Sequence, residues 1–108
     1  YKSYHLNGKL KSEGKYVAGV AVGDWKYYYS NGQLEQQNTF DAKGDPSGKW
    51  TFFNRKGVLT EERPFGDEGK RHGDNVIYYD GIKHYVITYK KGKIVQSVFY
   101  DKKGNVLG

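Results

Sequence analysis

The chain has 108 residues, so one domain is the default; only 36% are apolar with tyrosine counted, which excludes a thick two-layer core of aliphatic side chains. Rings must supply the burial, and 17% of the chain is aromatic, with 11 Tyr whose apolar bodies and wet hydroxyls suit a thin structure. Cysteine is absent, which excludes disulfides, zinc thiolate sites and thiol nucleophiles, and 18 basic against 12 acidic side chains leave a net charge of +6.

In chain order, one unit recurs. "GDWKYYYSNGQL" at 23 returns as "GKWTFFNRKGVL" at 48 and more loosely as "GDNVIYYDGIKH" at 73. Turn glycines Gly8, Gly32, Gly57, Gly81 and Gly104 keep the same beat, giving five copies near 1–22, 23–47, 48–72, 73–92 and 93–108 within one repeat domain. Four residues before the glycine stand Tyr4, Tyr28, Phe53 and Tyr100; two after it Leu10, Leu34, Leu59 and Val106; eight after it Tyr16, Phe40, Phe65 and Tyr89. The fourth copy, "IYYDGIK", is one residue short before its glycine.

Short segments rich in Tyr, Phe, Trp and Val between Gly, Asn and Asp predict strands, with no helical apolar stripe. The class is therefore all-β: an elongated antiparallel meander of stacked β-hairpins, about ten strands, joined by return loops "VAGVAV", "DAKGDPS" and "GDEGKRH". The tetrapeptides "HLNG", "YSNG", "NRKG" and "DKKG" predict three-residue loops closed by a glycine bulge. Strict alternation from that register puts Tyr28, Leu34 and Phe40 on one face, with Phe53, Leu59 and Phe65, and Trp25, Tyr27, Trp50 and Phe52 on the other.

"GDWKYYYSNGQLEQQNTF" and "GKWTFFNRKGVLTEERPF" resemble the bacterial variant of the MORN repeat, whose pattern is Gly-x-Trp, aromatic residues, Asn-Gly-x-Leu and a later aromatic. The resemblance is strong over 1–65 and loose from 73 on, where the fourth copy lacks the Trp and the regular Asn-Gly. It implies stacked hairpins, an antitoxin or immunity role for some relatives, and membrane-lipid association or scaffolding for eukaryotic arrays.

Chemistry is sparse. His5, His72 and His84 lack metal-binding spacing, the serines lack a nucleophile elbow, and the Asp-rich loops lack a calcium pattern, so no enzyme, metal or cofactor is expected. The glycines precede strands rather than a helix that could cradle phosphate. Surface binding is left. The rings Trp25, Tyr27, Trp50 and Phe52 are the expected docking site for another protein, with a glycan as a further partner class. The basic residues Lys70, Arg71, Lys90, Lys91, Lys93, Lys102 and Lys103 suit anionic lipid or another polyanion, specific nucleic-acid binding being disfavoured. In a meander the 69–73 and 90–93 clusters share one margin and 101–104 takes the other. Met is absent even at position 1, so a signal peptide, lipid anchor or further domain ahead of Tyr1 is expected; the compartment stays open, with export or lipid anchoring among the expectations.

Overall fold

Each strand pairs with the next in sequence. The computed structural model describes residues 1–107. Its strands are β1 (Lys2–Tyr4), β2 (Leu10–Val17), β3 (Val20–Tyr28), β4 (Leu34–Phe40), β5 (Pro46–Phe53), β6 (Leu59–Phe65), β7 (Gly73–Tyr79), β8 (Ile82–Lys90) and β9 (Lys93–Phe99). They form one antiparallel sheet in the order β1 to β9, with a single 3₁₀ turn over Asp67–Gly69. The expected tenth strand is reduced to a bridge between Tyr100 and Val106. Principal extents of 44 × 33 × 13 Å describe a single layer.

The predicted three-residue hairpin loops are present. Gly8, Gly32, Gly57 and Gly104 donate their amides to His5, Tyr29, Asn54 and Asp101 carbonyls at 2.9–3.0 Å. Each has φ between 84° and 92°, a backbone that only glycine adopts cheaply. The short fourth hairpin uses a two-residue turn instead, with both Asp80 (φ 53°) and Gly81 (φ 80°) left-handed, as a type I′ turn requires. The return loops are tighter than expected. Val17 pairs with Val20 and Lys90 with Lys93 across two-residue turns, so much of "VAGVAV" is strand.

The margin carrying the hairpin turns is stitched from copy to copy. Tyr29 donates its hydroxyl to the Phe53 carbonyl at 2.7 Å, and the His5 ring meets the Tyr28 carbonyl at 2.8 Å. One step further out, Asn7 and Asn31 donate side-chain amides to the Ser30 and Arg55 carbonyls. These bonds fix the first turn on the second and the second on the third, which a lone hairpin in water cannot do for itself.

The division of rings between faces differs from strict alternation. Tyr28 pairs with Leu34 as expected, but Tyr27 pairs with Gln36, so Glu35 is an extra residue in β4. The same slip makes Lys11, Thr60 and His84 extra in β2, β6 and β8, each three residues past its turn glycine. Such a bulge breaks the alternation of side chains. Tyr28 and Leu34 therefore stay on one face, while Phe40 crosses to join Trp25, and Phe65 crosses to join Trp50.

Burial is thin, as the composition requires. Among the described residues the apolar core is Trp25, Val76 and Val86. Trp25 is 3% exposed because its indole lies flat over Gly14, where an added Cβ would stand 2.0 Å from the ring. Gly14→Ala must displace that indole, and a loss of about 2–3 kcal/mol is expected from overpacking. Gly104→Ala, with open space at its Cβ and only the left-handed backbone cost, should lose about 1–2 kcal/mol. Urea unfolding midpoints of the two variants check this order.

Candidate functional site

Registers place twelve of the chain's rings on the Trp25 face: Tyr1, Tyr16, Trp25, Tyr27, Phe40, Trp50, Phe52, Phe65, Tyr79, Tyr85, Tyr89 and Phe99. The opposite face carries Tyr4, Tyr28, Phe53 and Tyr78, so the ring-rich face is the distinctive surface.

The rings form two groups. In the first, Trp25 sits 4.9 Å from Tyr16 and 5.6 Å from Tyr1 between centroids, with Tyr27 stacked beside it at 6.4 Å. Burial pushes the Tyr27 hydroxyl above its usual range, and the neighbouring Tyr16 and Tyr1 add to the shift. In the second, Trp50 lies 5.3 Å from Phe40 and 4.8 Å from Phe65, and its Nε1 donates to the Thr39 carbonyl at 2.9 Å. Trp25 Nε1 and Asn38 Oδ1 are buried without a hydrogen-bond partner among the described residues.

Of the four rings expected to dock a partner, the structure brings all onto one face but in unequal states. Trp25 is core, while Tyr27, Trp50 and Phe52 are half-exposed. Phe40, Phe65 and Tyr16, which strict alternation assigns elsewhere, belong with them.

A polar chain runs through the second group. Arg63 lies over the Phe52 ring, 4.7 Å from its centroid, and its Nε donates to Glu61 Oε2 at 2.9 Å. The same Glu61 oxygen accepts from Asn75 Nδ2 at 3.2 Å, and Asn75 Oδ1 accepts from Arg71 Nη1 at 2.8 Å. The signal for Glu61 and Arg63 is their two-residue spacing in "EER", which puts both on one face of a strand.

The basic residues divide as the meander predicts. Gly92 donates its amide to the Arg71 carbonyl at 2.8 Å, tying the 90–93 turn to the 66–72 segment on one margin. Lys70 and Lys91 line a shallow depression of about 320 Å³ there, together with Asp67, Glu68 and His72. Lys90 and Lys93 flank that turn, whereas Lys102 and Lys103 stand on the opposite margin. Arg71 leaves the lysines and turns onto the ring face, 5.7 Å from the Phe65 centroid and 5.2 Å from Tyr89. Among the described residues no cluster of three or more His, Asp or Glu side chains is arranged to hold a metal ion. No helix is long and apolar enough to cross a membrane.

On the opposite face, carboxylates meet tyrosines. Tyr28 donates its hydroxyl to Glu13 at 2.9 Å and Tyr78 donates to Glu62 at 2.5 Å, with Lys49 Nζ 3.3 Å from the second oxygen of Glu62.

Fold and site together define a single-sheet repeat protein of stacked hairpins, with an open aromatic face and no assembled catalytic constellation among the described residues. The family model for the MORN repeat variant matches residues 1–18 and 21–42, the hairpins built from β1 to β4, and supports assignment of the repeat to that family. Repeats of that kind are non-catalytic modules that bind proteins or membranes. No curated protein and no solved structure matches the chain.

The Tyr78–Glu62 bond sets a pH dependence. The bond to Glu62, with burial second, pushes the Tyr78 hydroxyl up to about 12 from 10.0, while the same bond, helped by Lys49, holds Glu62 below its ordinary 4.5. The tyrosine's contribution to stability is complete below pH 10 and drains away as pH rises towards 12; the carboxylate's is present above its unfolded value and is lost as pH falls through its lowered one. Tyr78→Phe should flatten the fall in stability between pH 10 and 12, read from urea midpoints; an unchanged slope contradicts the assignment.

Proposed function

We propose that the chain is a non-enzymatic module that binds another protein through the Trp25–Trp50 face of its sheet. The observation that supports this reading is a single layer with two ring groups on one face, half-exposed at Tyr27, Trp50, Phe52, Phe65 and Tyr89, and no second layer over them among the described residues. Ring surface left open in this way marks interaction sites, and Trp, Tyr and Arg are the side chains that carry most binding energy at protein interfaces. Rings already packed on one another lose little freedom on docking, so less of the gain from burial is cancelled. An antitoxin or immunity role, in which such a face covers a partner protein, is the version of this reading that the family resemblance implies. Trp25 serves as the pillar of that surface, and Tyr27, Trp50 and Phe52 as its contacts.

Adjacent residues of β5 give a controlled test. Phe52 and Thr51 point to opposite faces, and each stands opposite a glutamate, Glu61 or Glu62. Phe52→Lys should weaken a partner complex by about tenfold or more, and Thr51→Lys should leave it within about twofold, with both variants folded by circular dichroism. Equal loss from both sinks the face assignment.

A second reading is supported by the shared margin of Lys70, Lys90, Lys91 and Lys93, which suits an anionic membrane surface. Binding to phosphatidylglycerol vesicles should then fall steeply between low and physiological salt, and charge reversal at these four lysines should abolish it. Salt-insensitive or unaltered vesicle binding removes this reading.

A further inference from the structure

We propose that Arg71 is the receptor for a carboxylate on the docked protein, so that the partner presents an Asp or Glu flanked by apolar side chains. The inference rests on the docking reading above and specifies the chemistry of what docks.

All three arginines of the chain stack on rings: Arg55 over Tyr29, Arg63 over Phe52, and Arg71 beside both Phe65 and Tyr89. Their charges are differently placed. Arg55 stands in the hairpin-turn margin, and Arg63 is neutralised by Glu61. Arg71 has no ion pair among the described residues. Its one side-chain hydrogen bond there goes to Asn75, and a guanidinium carries five N–H donors.

Arg71 is nonetheless held in place. Asn75 is 3% exposed and is itself anchored on Glu61, while the Arg71 backbone is pinned by the bridge to Phe65 and by the Gly92 amide. A flat cation with unused donors, oriented by two rings and one buried amide, is a preorganised fork for an oxyanion. Its surroundings select among oxyanions. Two arginines and one glutamate leave a single uncompensated positive charge on this part of the face, walled by Trp50, Phe65 and Tyr89. The nearby Lys70 lies along Gly92 on the margin instead. One charge among rings fits one carboxylate among apolar side chains; a phosphate dianion beside Glu61 would lack a second cation.

The test pans random linear peptides displayed on phage against the whole folded chain. Support is enrichment of sequences with Asp or Glu next to apolar residues, and a synthetic copy of one that loses about tenfold or more in affinity on Arg71→Gln. Replacing its acid by the amide should cost the same, and the two changes together should cost no more than either alone. Arg71→Lys keeps the charge without the fork and should recover only part of the loss; it also replaces the glutamine variant if circular dichroism shows that one unfolded. Peptides that bind the ring face, lost on Phe52→Lys but indifferent to Arg71→Gln, overturn the carboxylate assignment and leave the docking face standing. Peptides lost on Thr51→Lys and not on Phe52→Lys overturn both. The assignment also falls if no peptide is enriched, or if Arg71→Gln abolishes binding to phosphatidylglycerol vesicles alone.

Discussion

A sheet without a second layer has to bury its rings sideways, against each other, and one recurring backbone irregularity makes that feasible here. Three residues past four of the five turn glycines an extra residue enters the strand, at Lys11, Glu35, Thr60 and His84. Without it, Phe40 and Phe65 would project to the side opposite Trp50, which would then have no lateral aromatic wall. With it, Trp50 has rings on both flanks, at 5.3 and 4.8 Å. Edge-to-face and tilted contacts at these separations add to the burial of each ring, about 0.5–1.5 kcal/mol per pair. The bulge thus converts a two-sided amphipathic ribbon into a sheet with one aromatic face and one mixed face of Tyr–Glu and Lys–Glu pairs.

Much of this was legible in the residues. The beat of turn glycines gave the meander, because left-handed positions in hairpin loops have a strong residue preference, and the shortened fourth turn was visible as a missing residue before Gly81. The margins of the basic clusters followed from connectivity alone. The bulge was not legible, since its positions hold Lys, Glu, Thr and His, residue types with nothing in common but exposure tolerance. A one-residue slip inverts everything beyond it, so a correct loop type and a correct period still assigned Phe40 and Phe65 to the wrong face. The polar chain through Asn75 was missed for a related reason: Arg71 and Glu61 are joined only by the pairing of β6 with β7.

The electrostatics separate two kinds of cation that a net charge of +6 lumps together. The lysines at 70, 90, 91 and 93 stand exposed along a margin where water screens them. The arginines lie on rings, where a weakly hydrated planar cation is at home and an ammonium is not. The two proposed modes of binding divide along this line, the anionic surface resting on the lysines of the margin and the protein partner on the rings and arginines of the face.

The two tryptophans show why the repeat motif alone does not set burial. Both follow Gly-x, and both lie on the same face, yet one is core and the other half-exposed. The side chains that flank the indoles on neighbouring strands differ: Gly14 and Asn38 beside Trp25, Arg63 beside Trp50. Gly14 leaves a hollow into which Trp25 sinks, whereas the residue paired with Trp50 on β6 is Arg63, whose guanidinium lies over the Phe52 ring. The same Gly-x-Trp is thus buried where the adjoining strand offers a glycine and half-exposed where it offers a long side chain, so in a sheet whose core is its own surface the burial of each unit depends on its neighbour.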